Sequence, residues 1–136
     1  SGGGALIGVD LVKPTERLKR AYNDSEGVTA AFNKNLLTRL QNELGASLDE
    51  SAFEHEARYD DDESRIEMHL VAKRDTAIEL DGRRFDLNAG ETIHTENSHK
   101  YSIEGFRALL AGTGLHPVDC WTDPDGLISM HYLETD

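Results

Sequence analysis

The sequence predicts a mixed α/β chain of the α+β type, in which a first strand is followed by helices and then by antiparallel strands. Three observations predict this fold class. A short apolar run covers Ala5 to Val12, a helical apolar pattern covers about Glu26 to Leu44, and from about Glu54 the hydrophobic period becomes two. A chain of 136 residues fits one ordinary domain, which buries roughly two thirds of the surface that its unfolded form exposes.

The run from Ala5 to Val12 has the nearly continuous apolar character of a strand buried on both faces. Because this sequence has no earlier segment to pair with it, we expect later strands to be its neighbours or the chain to belong to something larger. Pro14 then starts a short helix through Tyr22. A second helix follows from about Glu26 to Leu44, with Gly45 placed as its C-terminal cap. Its apolar residues recur at i+4 spacing: Val28, Phe32, Leu36, Leu40 and Leu44.

The middle of the chain predicts an antiparallel meander. Ile66, Met68 and Leu70 alternate with polar residues and should share one apolar face, so Met68 is a core residue by default. Asp81-Gly82 favours a type I′ hairpin turn. The predicted strands are His55 to Tyr59, Arg65 to Lys73, Thr76 to Leu80, Arg83 to Leu87 and Glu91 to Glu96.

The last part of the chain predicts a helix and a closing hairpin. Ser102 can cap a helix that runs to about Ala111. Two strands, His116 to Thr122 and Leu127 to Leu133, are then joined by the turn Asp123-Pro-Asp-Gly126.

The composition limits the partners. Acidic residues outnumber basic ones by 26 to 14, and the formal charge of −12 makes nucleic acid or an anionic membrane an unsuitable partner. A small neutral or cationic ligand fits better. The single cysteine, Cys120, excludes an internal disulfide and suits a reducing compartment, and no apolar run approaches the length of about 20 residues of a membrane span. We therefore predict a cytoplasmic protein.

The stretch from Glu91 to Tyr101 is polar where a strand should be apolar. In an extended backbone its alternate side chains share one face, which either meets water or lines a polar pocket. The residues of that face are Thr92, His94, Glu96 and Ser98.

Other kinds of chemistry find weaker support. A metal site would use His69, His94, Glu96 and His99, but no His-x-x-x-His or cysteine pair sets ligand spacing, so we predict none. Ser98 as a hydrolase nucleophile lacks a nucleophile elbow. The Gly2 to Gly4 run precedes a strand, whereas phosphate-binding glycines lie between a strand and a helix.

Several blocks of the chain, in order, closely resemble the S-adenosylmethionine-dependent histidine Nα-methyltransferases of ergothioneine biosynthesis. The blocks are Ile7 to Lys13, Ala21 to Asp24, Gly27 to Asn33, Ile66 to Leu70, Thr95 to Tyr101, Trp121 to Asp123 and Gly126. The resemblance covers nearly the whole chain but only the C-terminal half of the family.

The resemblance implies a fold assignment. Residues 1–13 would be a late strand of a Rossmann-like class I methyltransferase sheet, residues 14–100 a substrate-binding insertion of helices and an antiparallel β-meander, and residues 101–136 the final helix and β-hairpin. S-adenosylmethionine is the implied cofactor. Its glycine-rich binding loop is missing from this sequence, so no cofactor-binding residue is assigned.

The resemblance also implies the substrate-binding residues for histidine. Tyr22 would hydrogen-bond the substrate carboxylate, Phe32 and Met68 would line the pocket, and Glu96 and Ser98 would hold the imidazole ring. Ring N–H groups suit a carboxylate and a neighbouring hydroxyl. Methyl transfer to the α-amine is an in-line displacement that needs positioning rather than a nucleophile, so no catalytic residue is assigned.

Two other functions stay open, namely a free-standing α+β module that binds a small ligand or a protein, and a methyltransferase for another amino acid. We expect the chain alone to be inactive. We also expect an unpaired strand edge near Leu6 to Leu11 to favour self-association.

Overall fold

Residues 2–135, the part of the chain that this computed structural model describes, form eight strands, three α-helices and one short 3-10 turn. This mixed architecture confirms the predicted α+β class. None of the described helices is both long and apolar enough to cross a membrane. The elements are β1 (Gly4–Asp10), α1 (Thr15–Tyr22), α2 (Val28–Leu44), the 3-10 turn (Glu50–Ala52), β2 (Phe53–Asp60), β3 (Arg65–Ala72), β4 (Thr76–Leu80), β5 (Arg83–Leu87), β6 (Thr92–His99), α3 (Ile103–Leu109), β7 (Leu115–Thr122) and β8 (Ile128–Thr135).

The chain divides into two compact units, each built from separate segments. The first unit comprises Ser1–Pro14, Asp61–Arg65 and His99–Asp136. The second unit comprises Thr15–Asp60 and Ile66–Ser98.

A three-stranded sheet with the order β1-β8-β7 forms the first unit. The central strand β8 is antiparallel to both neighbours, with Gly4 opposite Glu134 at one end of the β1 ladder. The expectation that β1 is buried on both faces is wrong for this chain, because Leu6 is 62% exposed while Val9 is only 4% exposed. Alternate residues of β1 (Gly4, Leu6 and Gly8) are exposed, so one face of the strand is open among the described residues.

A buried ion pair lies at the end of β1. Lys100 is only 2% exposed, and its Nζ lies 2.7 Å from Oδ2 of Asp10. Lys13 contacts the other oxygen of the same carboxylate. Burial by itself would raise the pKa of Asp10, but the hydrogen bonds and charges of Lys100 and Lys13 outweigh it, and the pKa is lowered.

The second unit contains a three-stranded sheet with the order β2-β3-β6 and a separate two-stranded sheet, β4-β5. The predicted continuous meander is therefore wrong. After β3, the chain forms the β4-β5 hairpin and then returns, so that the N–H of Ala72 donates to the carbonyl of Glu91 at 2.9 Å. The hairpin turn itself is confirmed, since Asp81 and Gly82 have φ angles of 49° and 69°.

Helix α2 lies where the sequence predicts it, and Gly45 caps it in the left-handed conformation with φ of 67°. Its buried residues, however, are Asn33 and Leu37. Residues four apart are displaced by about 40° around a helix, so a long i+4 series sweeps across its surface rather than marking one face. Four members of the predicted series are exposed large apolar residues: Val28, Phe32, Leu36 and Leu44.

The core of the second unit confirms the alternation predicted for β3. Ile66, Met68 and Leu70 are 0%, 4% and 1% exposed. Leu37 of α2 packs in the same cluster as Leu70, and Leu18 of α1 packs in the cluster that contains Ile66 and Met68. The two helices are therefore held to the sheet of this unit by apolar clusters that include residues of β2 and β3.

Candidate functional site

A hydrogen bond joins two of the residues to which the sequence assigns a substrate-binding role. The phenolic oxygen of Tyr22 lies 2.8 Å from Oγ of Ser98, and either hydroxyl can donate. Tyr22 is the last residue of α1, and Ser98 lies near the end of β6. Both side chains are half-buried, so the pair can exchange hydrogen bonds with a bound polar group.

Neighbouring contacts fix the end of α1 to β2. The backbone carbonyl of Tyr22 lies 2.8 Å from Nε2 of His55. The side chain of Asn23 bonds both backbone polar groups of Ala57: its Nδ2 donates to the carbonyl at 3.1 Å and its Oδ1 accepts from the N–H at 3.0 Å. The position of the Tyr22 ring therefore depends on β2 as well as on its own helix.

Asn33 connects this arrangement to the other two strands of the sheet. Its side chain is buried, and Nδ2 lies 3.0 Å from Nδ1 of His55 and 3.1 Å from the carbonyl of His69. Its Oδ1 accepts from Oγ1 of Thr95 at 2.7 Å. Because the amide N–H groups of Asn33 are donors, Nδ1 of His55 is an acceptor, and Nε2–H of the same ring donates to Tyr22. One amide thus orients the imidazole that holds the end of α1.

The other three predicted site residues lie in different settings. Phe32 is 64% exposed on the surface of α2. Met68 packs in the core with Leu18, Ala57 and Ile66, as the default interpretation expects. Glu96 is exposed. A shallow depression of about 210 Å³ is lined by His94, Thr95, Glu96 and Asn97.

Sequence reasoning gave no role to Asn33 or His55. Asn33 falls within the block Gly27 to Asn33 that carries the family resemblance, which is the one signal that could have pointed to it. Its partners on three strands are not visible in the sequence, because they lie 22, 36 and 62 positions away.

Comparison with known protein families matches residues 1–135 to the family described as histidine-specific methyltransferase, SAM-dependent. The chain belongs to this family. Membership confirms the resemblance found in the sequence, and the family as a whole is described as dependent on S-adenosylmethionine.

The sequence of the chain is also similar to those of individual proteins. The chain is 48% identical over 130 residues to histidine N-alpha-methyltransferase of Mycolicibacterium smegmatis, an alignment that covers 92% of this chain and 40% of that protein. It is 45% identical to the protein of the same name from Mycobacterium tuberculosis, with the same coverage. It is 34% identical over 126 residues to ergothioneine biosynthesis protein 1 of Neurospora crassa, covering 86% of this chain and 13% of that protein. The chain spans about 40% of the length of the two bacterial relatives.

Proposed function

We propose that this chain is the C-terminal, histidine-binding part of an enzyme that methylates the α-amine of L-histidine to trimethylhistidine (hercynine), in ergothioneine biosynthesis. The observation that carries the proposal is the contact of 2.8 Å between Tyr22 and Ser98. The contact brings together the two hydroxyls to which the family resemblance assigns the substrate carboxylate and the imidazole ring, and each can donate or accept a hydrogen bond. Identities of 48% and 45% to proteins named histidine N-alpha-methyltransferase support it.

The sheet of the first unit supports a Rossmann-like assignment. Because β8 is antiparallel to both β1 and β7, these two outer strands run parallel to each other. Doubly wound folds commonly carry an antiparallel strand in an otherwise parallel sheet. We assign residues 1–13 to a late strand of a class I methyltransferase sheet, residues 14–100 to the substrate-binding insertion and residues 101–136 to its final helix and hairpin. Further parallel strands of the whole enzyme would then pair with the open edge of β1.

The proposed binding mode divides histidine between two groups of side chains. Tyr22 donates a hydrogen bond to the carboxylate, while Ser98 and Glu96 hold the two ring nitrogens. Tyr22 and Ser98 satisfy each other here, so the substrate takes over hydrogen bonds that already exist rather than leaving polar groups unpaired. Phe32 is exposed and supplies apolar surface, and Met68 supports the pocket from the core.

In the proposed reaction, residues of this chain position the histidine substrate for methyl transfer. The α-amine has to be unprotonated and in line with the methyl group that S-adenosylmethionine supplies. The glycines near the start of the chain do not form a cofactor-binding loop, because Gly3 precedes β1 and Gly4 begins it, whereas the glycines of such a loop lie between a strand and a helix. No residue is therefore assigned to cofactor binding or to nucleophilic catalysis.

Replacing Glu96 by Ala in the full-length enzyme tests the ring-binding role. A carboxylate that pairs with a ring N–H contributes about 1.5–3 kcal/mol, so kcat/KM for histidine should fall by roughly 10- to 100-fold while cofactor affinity stays unchanged. Glu54→Ala is the matched control, since Glu54 is an exposed carboxylate on β2. Unchanged histidine turnover in Glu96→Ala would refute the assignment.

Two further measurements separate the proposal from its alternatives. Incubation of the 136-residue chain with S-adenosylmethionine and histidine should give no methylated product by mass spectrometry, and clear product would contradict the proposed division of the enzyme. A panel of amino acids offered to the full-length enzyme identifies the substrate. A free-standing binding module would bind its ligand without any upstream sequence, whereas the proposed enzyme needs an acidic-x-Gly-x-Gly loop encoded upstream.

A further inference from the structure

Glu67, His69 and His94 form a cluster within the second unit. The first two are alternate residues of β3, and the third lies on the adjacent strand β6. One potential ligand atom from each residue lies within 4.8 Å of the other two. Nε2 of His69 is 3.0 Å from Oε2 of Glu67, and the rings of His69 and His94 stack with centroids 4.7 Å apart.

One ring nitrogen of His69 makes no hydrogen bond to the described residues. The residue is only 6% exposed, and its Nδ1 is buried with no hydrogen-bond partner in the described part of the chain. An unsatisfied buried nitrogen is unfavourable, and such groups in folded proteins usually have a partner such as a water molecule or an ion.

His94 is oriented as a metal-binding histidine usually is. Its Nε2 lies 2.7 Å from Oδ1 of Asn97 and 3.2 Å from the carbonyl of Glu96. Both partners are acceptors, so Nε2 carries the proton and Nδ1 keeps a lone pair. Metal-ligating histidines typically donate the other ring N–H to such an outer partner, which fixes both tautomer and ring orientation.

We propose that Glu67, His69 and His94 bind one divalent transition-metal ion, of which Zn²⁺ is the model. Zinc, copper and nickel bind well to two imidazoles and a carboxylate, whereas magnesium and calcium prefer oxygen ligands. Ligand atoms about 2.1 Å from one tetrahedrally coordinated ion lie about 3.4 Å apart, so atoms that now lie up to 4.8 Å from one another have to approach by up to about 1.4 Å. The exposure of His94 gives its ring the freedom to move by this amount.

The bound ion would connect β3 to β6 at a point two residues before Glu96 on β6. This inference is independent of the proposed methyltransferase function, because its donor atoms all belong to the chain itself. The sequence analysis considered His69 and His94 as ligands but predicted no metal site, because no short ligand motif connects them. It did not consider Glu67.

Calorimetric titration of the tag-free chain with Zn²⁺ tests the site. We expect one ion per chain. The Zn²⁺ affinity should be at least about tenfold weaker in His94→Ala. It should be about tenfold weaker in Asn97→Ala, which removes only the hydrogen-bond partner of His94. His116→Ala, which removes a histidine from β7, should bind as the wild type does. His94 is the first choice for substitution because it is exposed, whereas loss of the buried His69 risks unfolding.

Copper provides a spectroscopic measurement of the same site. Electron paramagnetic resonance of the Cu²⁺-loaded chain should show two coordinated imidazole nitrogens in the wild type and one in His94→Ala, with circular dichroism confirming that the variant is folded. Zn²⁺ binding that His94→Ala does not weaken would overturn the proposal. Binding lost instead in Cys120→Ser would also overturn it, because Cys120 and His131 form a second possible soft-metal pair with 3.9 Å between Sγ and Nε2.

Discussion

The hydroxyl groups of Tyr22 and Ser98 meet at 2.8 Å although the residues are 76 positions apart in the chain. The contact joins the last residue of α1 to the end of β6. His55 and Asn33 support it from β2 and α2, through hydrogen bonds of 2.8 and 3.0 Å. Binding groups that are held by the surrounding structure lose less entropy on binding, so we include the supporting residues in the proposed histidine site.

Tyr22→Phe and Ser98→Ala should each raise KM for histidine in the full-length enzyme by about tenfold, since each removes a hydrogen bond of about 1–1.5 kcal/mol. Because the two hydroxyls contact each other, the effects in the double variant should not add. Steady-state kinetics of the wild type, the two single variants and the double variant measures KM for histidine in each. Tyr59→Phe is the control, because Tyr59 packs against the core of the same unit, and it should leave KM unchanged. Strictly additive effects would show that the two hydroxyls act separately.

Asn33→Ala should lower the free energy of unfolding by about 2–4 kcal/mol, because it leaves a buried carbonyl on β3 and half-buried side chains on β2 and β6 without their hydrogen bonds. Asn35→Ala is a matched control on the same helix. Asn35 is exposed, so its substitution should change stability by no more than about 0.5 kcal/mol. Urea unfolding followed by circular dichroism distinguishes the two. Equal effects of the two substitutions would contradict the role given to Asn33.

Asp24 should make α2 sensitive to acid. Its carboxylate accepts the backbone N–H groups of Thr29 and Val28 at 2.9 and 2.8 Å, and these bonds lower the pKa of Asp24 from 3.8 to about 2. A carboxyl group whose pKa is lower in the folded state stabilises that state above the unfolded pKa. This contribution is lost as the pH falls from about 4 towards 2.

Thermal unfolding of the wild type and Asp24→Ala at a series of pH values measures this contribution. The difference in Tm should be constant above about pH 5 and should shrink as the pH falls towards 2. Asp61→Ala is the control for loss of one negative charge, since Asp61 lies exposed in the turn between β2 and β3. A Tm difference that does not change with pH would contradict the capping role.

The open edge of β1 should make the 136-residue chain self-associate. β8 occupies one edge of β1, while among residues 2–135 no strand pairs along the other edge, and Leu6 is 62% exposed. Unpaired edges with apolar side chains add strands from other chains. Sedimentation analysis should show a mass that rises with concentration and that falls in Leu6→Lys. A mass independent of concentration would refute this expectation.

Local features of the fold were predictable because their causes lie in neighbouring residues. The Asp81-Gly82 turn has the positive φ angles of its hairpin type, Gly45 ends α2, and Ser102 caps α3 by accepting the N–H of Gly105 at 2.9 Å. Alternating residues also located the core face of β3. The strand order β2-β3-β6 was not predictable, because nothing local distinguishes a hairpin inserted between two paired strands from the next strand of a meander.

The candidate site also has some features that the sequence predicted and others that only the structure shows. The resemblance in the sequence supplied its residue types and family, and residues 1–135 match that family. Only the tertiary structure decided that Tyr22 meets Ser98, that Asn33 is a buried hub, and that His94 lies on His69. Sequence patterns determine backbone conformation over a few residues. These contacts depend instead on the packing of α1 and α2 on the sheet and on the pairing of β3 with β6, because that packing and pairing bring distant side chains within hydrogen-bonding distance.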